Sequence, residues 1–281
     1  MFRSGVRWTF ISSSSCGVRA LDSGFLFDVA GSGGFSDELD YRVTLAFLCS
    51  RVSFEFLKAL NPTLNFQAGN LSALPLRRVI IKRDASRIIP LVDKMIDIAR
   101  TDWNNFETSW DFHDLPVIRP GTKAATLATS WEKCLDQCTA ATRLMQELET
   151  QNNRLFIDAY GLSGELTAEV PESQITLARA DQHKDMAAFL SYAIGCMMGR
   201  YSLDKPGLIL ANAGDSLREF LAKVGRSLDQ LTFAPDEDGI IPVLDGDWFK
   251  DDIALRTQDF LRATFGQATL ETNLHFIEES L

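Results

Sequence analysis

Hydrophobic spacing divides the chain into a strand-like opening and a long helical remainder. Two runs rich in aromatic and β-branched residues, Trp8 to Ser12 (WTFIS) and Gly24 to Val29 (GFLFDV), are bounded by Ser and Gly clusters and predict strands and turns over residues 1–35. A strand-like piece near residue 6 with nothing before it to pair with predicts a sheet whose first strands lie outside these residues, as in a fragment. From Asp37 to Leu60, apolar residues including Leu39, Val43, Phe47, Phe54 and Leu57 recur at three-to-four spacing and predict one helix. Ser36 and Asp37 are its candidate caps. Arg78 to Lys82 (RVIIK) reads as a short strand. Asp84 then caps a predicted helix over 85–100, with Ile88, Leu91, Val92, Met95, Ile96 and Ala99 on one face and Pro90 in its first turns or at its start. An aromatic connector spans 102–122. A helix follows over 130–153, with Trp131, Leu135, Cys138, Leu144, Met145 and Leu148 on its apolar side, patterned for a helical hairpin or short coiled coil. Another covers 185–201, residues 204–247 read as turns, and helices near 247–265 and 270–281 close the chain. The fold class is therefore α+β and mainly helical: a small mixed strand/helix piece over 1–101, then a largely α-helical region over 102–281.

Composition sharpens this division. The 281 residues are 46% apolar and 23% charged, enough to bury a sizeable core. No apolar run of about 18 residues occurs, so no membrane span is expected. Five scattered cysteines (Cys16, Cys49, Cys134, Cys138, Cys196) argue against a disulfide framework and for a reducing cytoplasm. The net charge of −10 is unevenly spread: residues 1–120 hold 14 Lys+Arg against 13 Asp+Glu, and residues 121–281 hold 14 against 25. An acidic second part is poor at touching phosphate; the first part holds the one basic cluster.

That cluster ends the stretch Leu60 to Arg87. Two prolines (Pro62, Pro75), Gly69 and four side-chain amides (Asn61, Asn65, Gln67, Asn70) lead into Arg77, Arg78, Lys82, Arg83 and Arg87, against a single acid, Asp84. Side-chain amides bind adenine bidentately in the major groove, and Arg and Lys contact guanine and phosphate. Asn65, Gln67 and Asn70 are candidate base readers; Arg77, Arg78, Lys82 and Arg83 are candidate phosphate contacts. A solvated basic turn is the plainer alternative.

Other candidates are weaker. Asp28 to Phe35 (DVAGSGGF) looks like the glycine-rich S-adenosylmethionine loop of adenine methyltransferases, but it is one residue short and lacks the usual proline. The Asn/Asp/Ser-Pro-Pro-Tyr/Phe loop that holds a flipped adenine is absent, since no two of the nine prolines are adjacent. Cys134 and Cys138 share a helix face without a nearby histidine, a pattern of small buried residues rather than zinc ligands. Asp236, Glu237, Asp238, Asp245, Asp247, Asp251 and Asp252 fit no calcium loop and read as a solvated acidic face. Trp103, Trp110 and Phe112 have the chemistry to stack a base but are expected to pack into the core.

Long phrases carry a more specific signal. Phe47 to Leu76 (FLCSRVSFEFLKALNPTLNFQAGNLSALPL) resembles the end of the target-recognition region of the PglX-like adenine-specific DNA methyltransferases of BREX (bacteriophage exclusion) systems. Gly5 to Ser32, Asp102 to Phe112, Asn153 to Asp181, Leu190 to Leu208 and Asp236 to Asp252 resemble the same family in collinear order. The resemblance implies that residues 1–101 are a partial target-recognition domain and 102–281 a C-terminal helical domain. It also implies that the S-adenosylmethionine and catalytic motifs lie upstream of everything matched, and that Asp28 to Phe35 belongs to the recognition region. No catalytic, cofactor or metal residue is then expected in this chain, which alone should lack methyltransferase activity. Double-stranded DNA is the implied partner, with other BREX proteins as further ones. The alternatives are a stand-alone helical interaction subunit of a defence complex, or a truncated product without function.

Overall fold

The computed structural model describes residues 3–13, 16–61, 63–245 and 248–281, with only the backbone described over 78–82. The chain forms two compact units, one of residues 1–100 and 141–176, the other of 101–140 and 177–281. A small antiparallel sheet is followed by helices, the α+β, mainly helical class expected. No helix among the described residues is long and apolar enough to cross a membrane.

The first unit opens with β1 (Gly5–Trp8), β2 (Val18–Leu21) and β3 (Gly33–Gly34), ordered β2-β1-β3, with Val6 opposite both Ala20 and Gly34. Alternation sends Val6 and Trp8 into the core and leaves Arg7 exposed. Gly5 must be glycine, because a Cβ there would lie 2.5 Å from the Gly34 carbonyl oxygen. The strand predicted over 24–29 is instead turn and coil, with Phe25, Leu26, Phe27 and Val29 exposed. The partners of β1 come from the flanking segments 18–21 and 33–34, which leaves this run without a ladder. Only Trp8 of the other predicted strand lies in β1, while Ile11 makes an isolated bridge to Asn65.

The single helix predicted over 37–60 is two, α1 (Tyr41–Leu48), capped by Asp40, and α2 (Arg51–Leu60). Ser50 makes the break: its hydroxyl donates to the Phe47 carbonyl (2.6 Å) and accepts the Ser53 N–H (3.3 Å). After the short α3 (Ala68–Ser72) comes α4 (Arg78–Trp103), which absorbs the predicted RVIIK strand. Asp84 does not cap it, and Pro90 lies deep inside it, removing the N–H that would bond the Ser86 carbonyl. Ile88, Leu91 and Val92 are buried, and once that face is packed each further residue extends the helix at little cost, whatever its strand propensity.

The long helix α5 (Leu127–Tyr160) gives residues 141–160 to this unit. It ends where Gly161 turns left-handed (φ +71°) and Leu162 N–H closes on the Ile157 carbonyl (2.9 Å). Phe156 and Ile157 join Val6, Trp8, Val43, Phe47, Leu57, Ile88 and Val92 in one core.

The second unit takes the start of α5, then α6 (Gln182–Met197), α7 (Leu217–Val224), α8 (Ile253–Phe265) and α9 (Leu270–Ser280). Its core is aromatic: Phe189, Tyr192, Phe233 and Phe260 meet mostly edge to face, and Tyr192 stacks on Tyr201 with ring centres 5.0 Å apart. Fully buried Asn273 accepts the Leu127 N–H (2.8 Å) and so caps α5. Helix α7 falls in the stretch read as turns; Ser216 and Glu219 form its capping box.

Candidate nucleic-acid interface

The amide-rich loop is tied down by its own backbone. Phe66 N–H donates to the Phe10 carbonyl (2.7 Å), Ser12 N–H to Leu64 (3.0 Å), and the Trp8 indole N–H to the Phe66 carbonyl (2.9 Å). Asn61 is buried, and its amide donates to the Asn65 carbonyl (2.9 Å) while accepting the Thr63 hydroxyl (2.7 Å), so it shapes the loop. Pro62, the predicted pin, lies outside the described residues. The segment is extended at Asn65–Gln67. Phe66 points inward at 8% exposure, and Asn65 and Gln67 on either side of it are exposed. Gln67 and Asn70 also form the capping box that starts α3: the Asn70 side-chain oxygen accepts the Gln67 backbone N–H (2.9 Å), and the Gln67 side chain accepts the Asn70 backbone N–H.

The cations are placed unequally. Arg77 is exposed but held: its guanidinium donates to the Ala159 carbonyl at the end of α5 (3.0 Å) and lies over the Tyr160 ring. The Tyr160 hydroxyl accepts the Arg77 N–H (3.1 Å) and donates to the Pro75 carbonyl (2.6 Å), clipping the loop to α5. The side chains of Arg78 and Lys82 lie outside those described; their backbone is in the first turns of α4. Arg83 is on α4 and pairs with Asp84 (2.8 Å), which holds that carboxyl below the usual carboxylate range. Arg83, Asp84 and Arg87 of α4 share a groove of about 360 Å³ with Gln151, Arg154 and Asp158 of α5. None of Asn65, Gln67 or Asn70 lines it. The stretch thus presents two outward amides on an anchored extended segment and, separately, a cationic groove. Arg154 and Gln151 were missed by sequence reasoning; no local signal links them to residues some 65 positions earlier.

The rival sites acquire structural explanations. In Asp28 to Phe35, the Asp28 carboxylate accepts the Ala30 and Gly31 N–H groups (2.9 and 3.1 Å), Gly33 and Gly34 pair with β1, and their open faces are filled by Phe27 and by Val6 and Trp8. With its glycines used for packing and its acid for a turn, the segment does not fit S-adenosylmethionine. One Asp236 oxygen accepts three N–H groups of its own turn, Asp238, Gly239 and Ile240; Asp247 lies outside the described residues. Among the described residues no three His, Cys, Asp or Glu side chains are grouped to hold a metal. The aromatic connector departs from expectation. Phe112 is buried as predicted, but Trp103 is 57% and Trp110 95% exposed. Successive turns cause this: buried Ser109 donates to Asn104 (2.7 Å) and accepts the Asp111 N–H (3.2 Å), turning Trp110 outward and Phe112 inward.

No protein-family model matches the chain. Over its whole length it is similar to adenine-specific methyltransferases. It is 35% identical over 286 aligned positions to the adenine-specific methyltransferase PglX of Lacticaseibacillus casei (strain Zhang), and 32% identical over 301 to the adenine-specific methyltransferase BrxX of Escherichia coli O9:H4 (strain HS). It spans 23% and 24% of those relatives, about a quarter of their length. The resemblance to PglX-like methyltransferases seen in the sequence is thereby supported along all of the chain.

Proposed function

We propose that this chain is a DNA-reading segment of a BREX adenine-specific DNA methyltransferase, with Asn65 and Gln67 facing base edges and Arg77, Arg78, Lys82 and Arg83 facing phosphates. The observation that carries this is the anchored extended segment, on which Phe66 points inward and two amides point outward. Asn70, less exposed than Asn65 and Gln67, is a secondary base contact. In this reading the segment recognises double-stranded DNA, and the chemistry belongs to other parts of the longer methyltransferase, so the chain is expected not to methylate DNA when given S-adenosylmethionine.

The test is duplex binding measured across a salt series. Removing one cation that neutralises a phosphate lowers the log–log salt slope by about 0.9. The Arg77→Ala/Arg78→Ala double variant is expected to fall by one to two such steps, and Asn65→Ala/Gln67→Ala to forfeit about 1–3 kcal/mol of discrimination per base pair read. A chain that binds no duplex at low salt would remove this function.

A second reading rests on a different observation. Trp103 at the end of α4 and Trp110 in the turns that follow stand exposed in the acidic unit, a composition suited to a protein partner such as another BREX component. Co-purification with such a partner, without DNA binding, would favour it.

A further inference from the structure

The groove between α4 and α5 carries a second assignment, which rests on the DNA-binding proposal above. Arg83 and Arg87 are four residues apart on α4, and Gln151, Arg154 and Asp158 are three and four apart on α5, so each set lies on one helix face. Those faces line the same groove. Its two carboxylates are already engaged: Asp84 binds Arg83, and Asp158 accepts the Ser163 hydroxyl (2.9 Å). Arg87 has no hydrogen-bond partner among the described residues and meets the Asp84 carboxylate through charge alone, and Arg154, 59% exposed, has a loose ion pair to Glu169 at 3.8 Å. Two guanidinium groups from different helices are therefore available in one open groove.

We propose that this groove seats a single phosphodiester of the DNA backbone, held jointly by Arg87 of α4 and Arg154 of α5, with Gln151 as an auxiliary donor. The planar fork of arginine matches phosphate oxygens two at a time. The groove is wide and polar; among the described residues its apolar lining is Leu91, Leu155 and Ala159, with no aromatic platform for a base. It also continues a basic run: residues 77–87 hold five Lys or Arg and one acid, and Arg77 is bonded to Ala159 on the groove wall. Arg154 thereby completes a phosphate site that the first hundred residues cannot form alone.

The experiment measures binding of the full chain to a duplex by fluorescence anisotropy over a salt series, for wild type, Arg154→Gln, Arg87→Gln, the double variant and Arg154→Lys. Arg154→Gln is expected to lower the salt slope by about 0.9, with roughly tenfold weaker binding at moderate salt. The double variant should show no further fall in slope, because the phosphate is seated only when both side chains hold it and either single loss already releases it. Arg154→Lys keeps the charge and should restore the slope while leaving affinity reduced, and circular dichroism confirms that each variant is folded. Wild type that binds duplex with an Arg154→Gln slope unchanged overturns the groove while DNA binding stands. Slope decreases that add in the double variant overturn the shared phosphate. Wild type that binds no duplex removes both the groove and the proposed function. Inorganic phosphate is the remaining arm: if millimolar phosphate binds wild type but not Arg154→Gln, and the duplex slopes are equal, the groove takes a free anion and the proposal fails.

Discussion

The two units achieve order by different means. The first holds 15 Lys+Arg and 15 Asp+Glu, the second 13 and 23. The second closes on an aromatic core of Phe189, Tyr192, Phe233 and Phe260. The first relies more on polar clips between distant segments. Asn152 of α5 donates to the Ala46 carbonyl at the end of α1 (2.9 Å). Asn153 accepts the Arg51 N–H that opens α2 (2.8 Å) and donates to the Ala168 carbonyl (3.1 Å). Both asparagines are buried. Tyr160 and Trp8 do similar work at the loop. Where polar side chains do the positioning, residue type alone does not separate readers from fasteners: Asn61 shapes the loop that displays Asn65, and exposed Gln67 caps α3 together with Asn70. An amide-to-alanine scan of this unit therefore requires a stability measurement beside each binding measurement.

The contrast makes graded predictions. The largest concerns the aromatic core: Phe260→Ala, at a fully buried position, is expected to cost about 3–5 kcal/mol in chemical denaturation. A cost below about 1.5 kcal/mol would mean that this unit does not depend on its aromatic packing.

Next comes a half-buried carboxyl of the first unit. Desolvation pushes Glu149 from 4.5 up to about 7. Below pH 4.5 both folded and unfolded chains hold its proton. Between 4.5 and 7 the unfolded chain releases it while the folded chain retains it, so stability falls as pH rises, by at most about 3 kcal/mol. Glu149→Gln should flatten that decline. A variant with the same pH profile as wild type would show that the carboxyl is hydrated in the folded protein.

Asn153→Ala is expected to cost about 1–3 kcal/mol, because it leaves the Arg51 N–H and the Ala168 carbonyl without this partner. A neutral result would mean that water replaces the clip. The smallest effect is at Gly31, where an added Cβ would meet nothing within 4 Å. Gly31→Ala should stay within about 0.5 kcal/mol of wild type.

Helices with a long apolar stripe were legible in the sequence. The expected 130–153 and 185–201 correspond to Leu127–Tyr160 and Gln182–Met197, with ends displaced by three or four residues except the end of the first, which runs seven residues further. Short elements depended on local chemistry that competed with pattern. Ser50 breaks an otherwise continuous helical spacing, and Ser216-x-x-Glu219 is a start signal visible in the sequence that would have found α7. RVIIK and GFLFDV have strand composition, but composition names no pairing partner. For the candidate site, the residue types were readable and their roles were not. Whether an asparagine faces solvent or a backbone carbonyl, and whether Arg154 meets Arg87, depends on contacts between segments distant in sequence. Trp110 shows the same limit in reverse, an aromatic turned outward by the hydrogen bonds of its neighbour Ser109.

Because the first unit borrows residues 141–176, its assembly is out of step with translation. The first hundred residues leave the ribosome without Phe156 and Ile157 to fill their core, and without Asn152, Asn153 and Tyr160 to fasten α1, α2 and the amide loop. At roughly 5–20 residues per second, the missing piece arrives on the order of 4–15 s later. A chain terminated near residue 101 would stay in that waiting state, so the shortest autonomous piece carrying the amide loop extends to about residue 176.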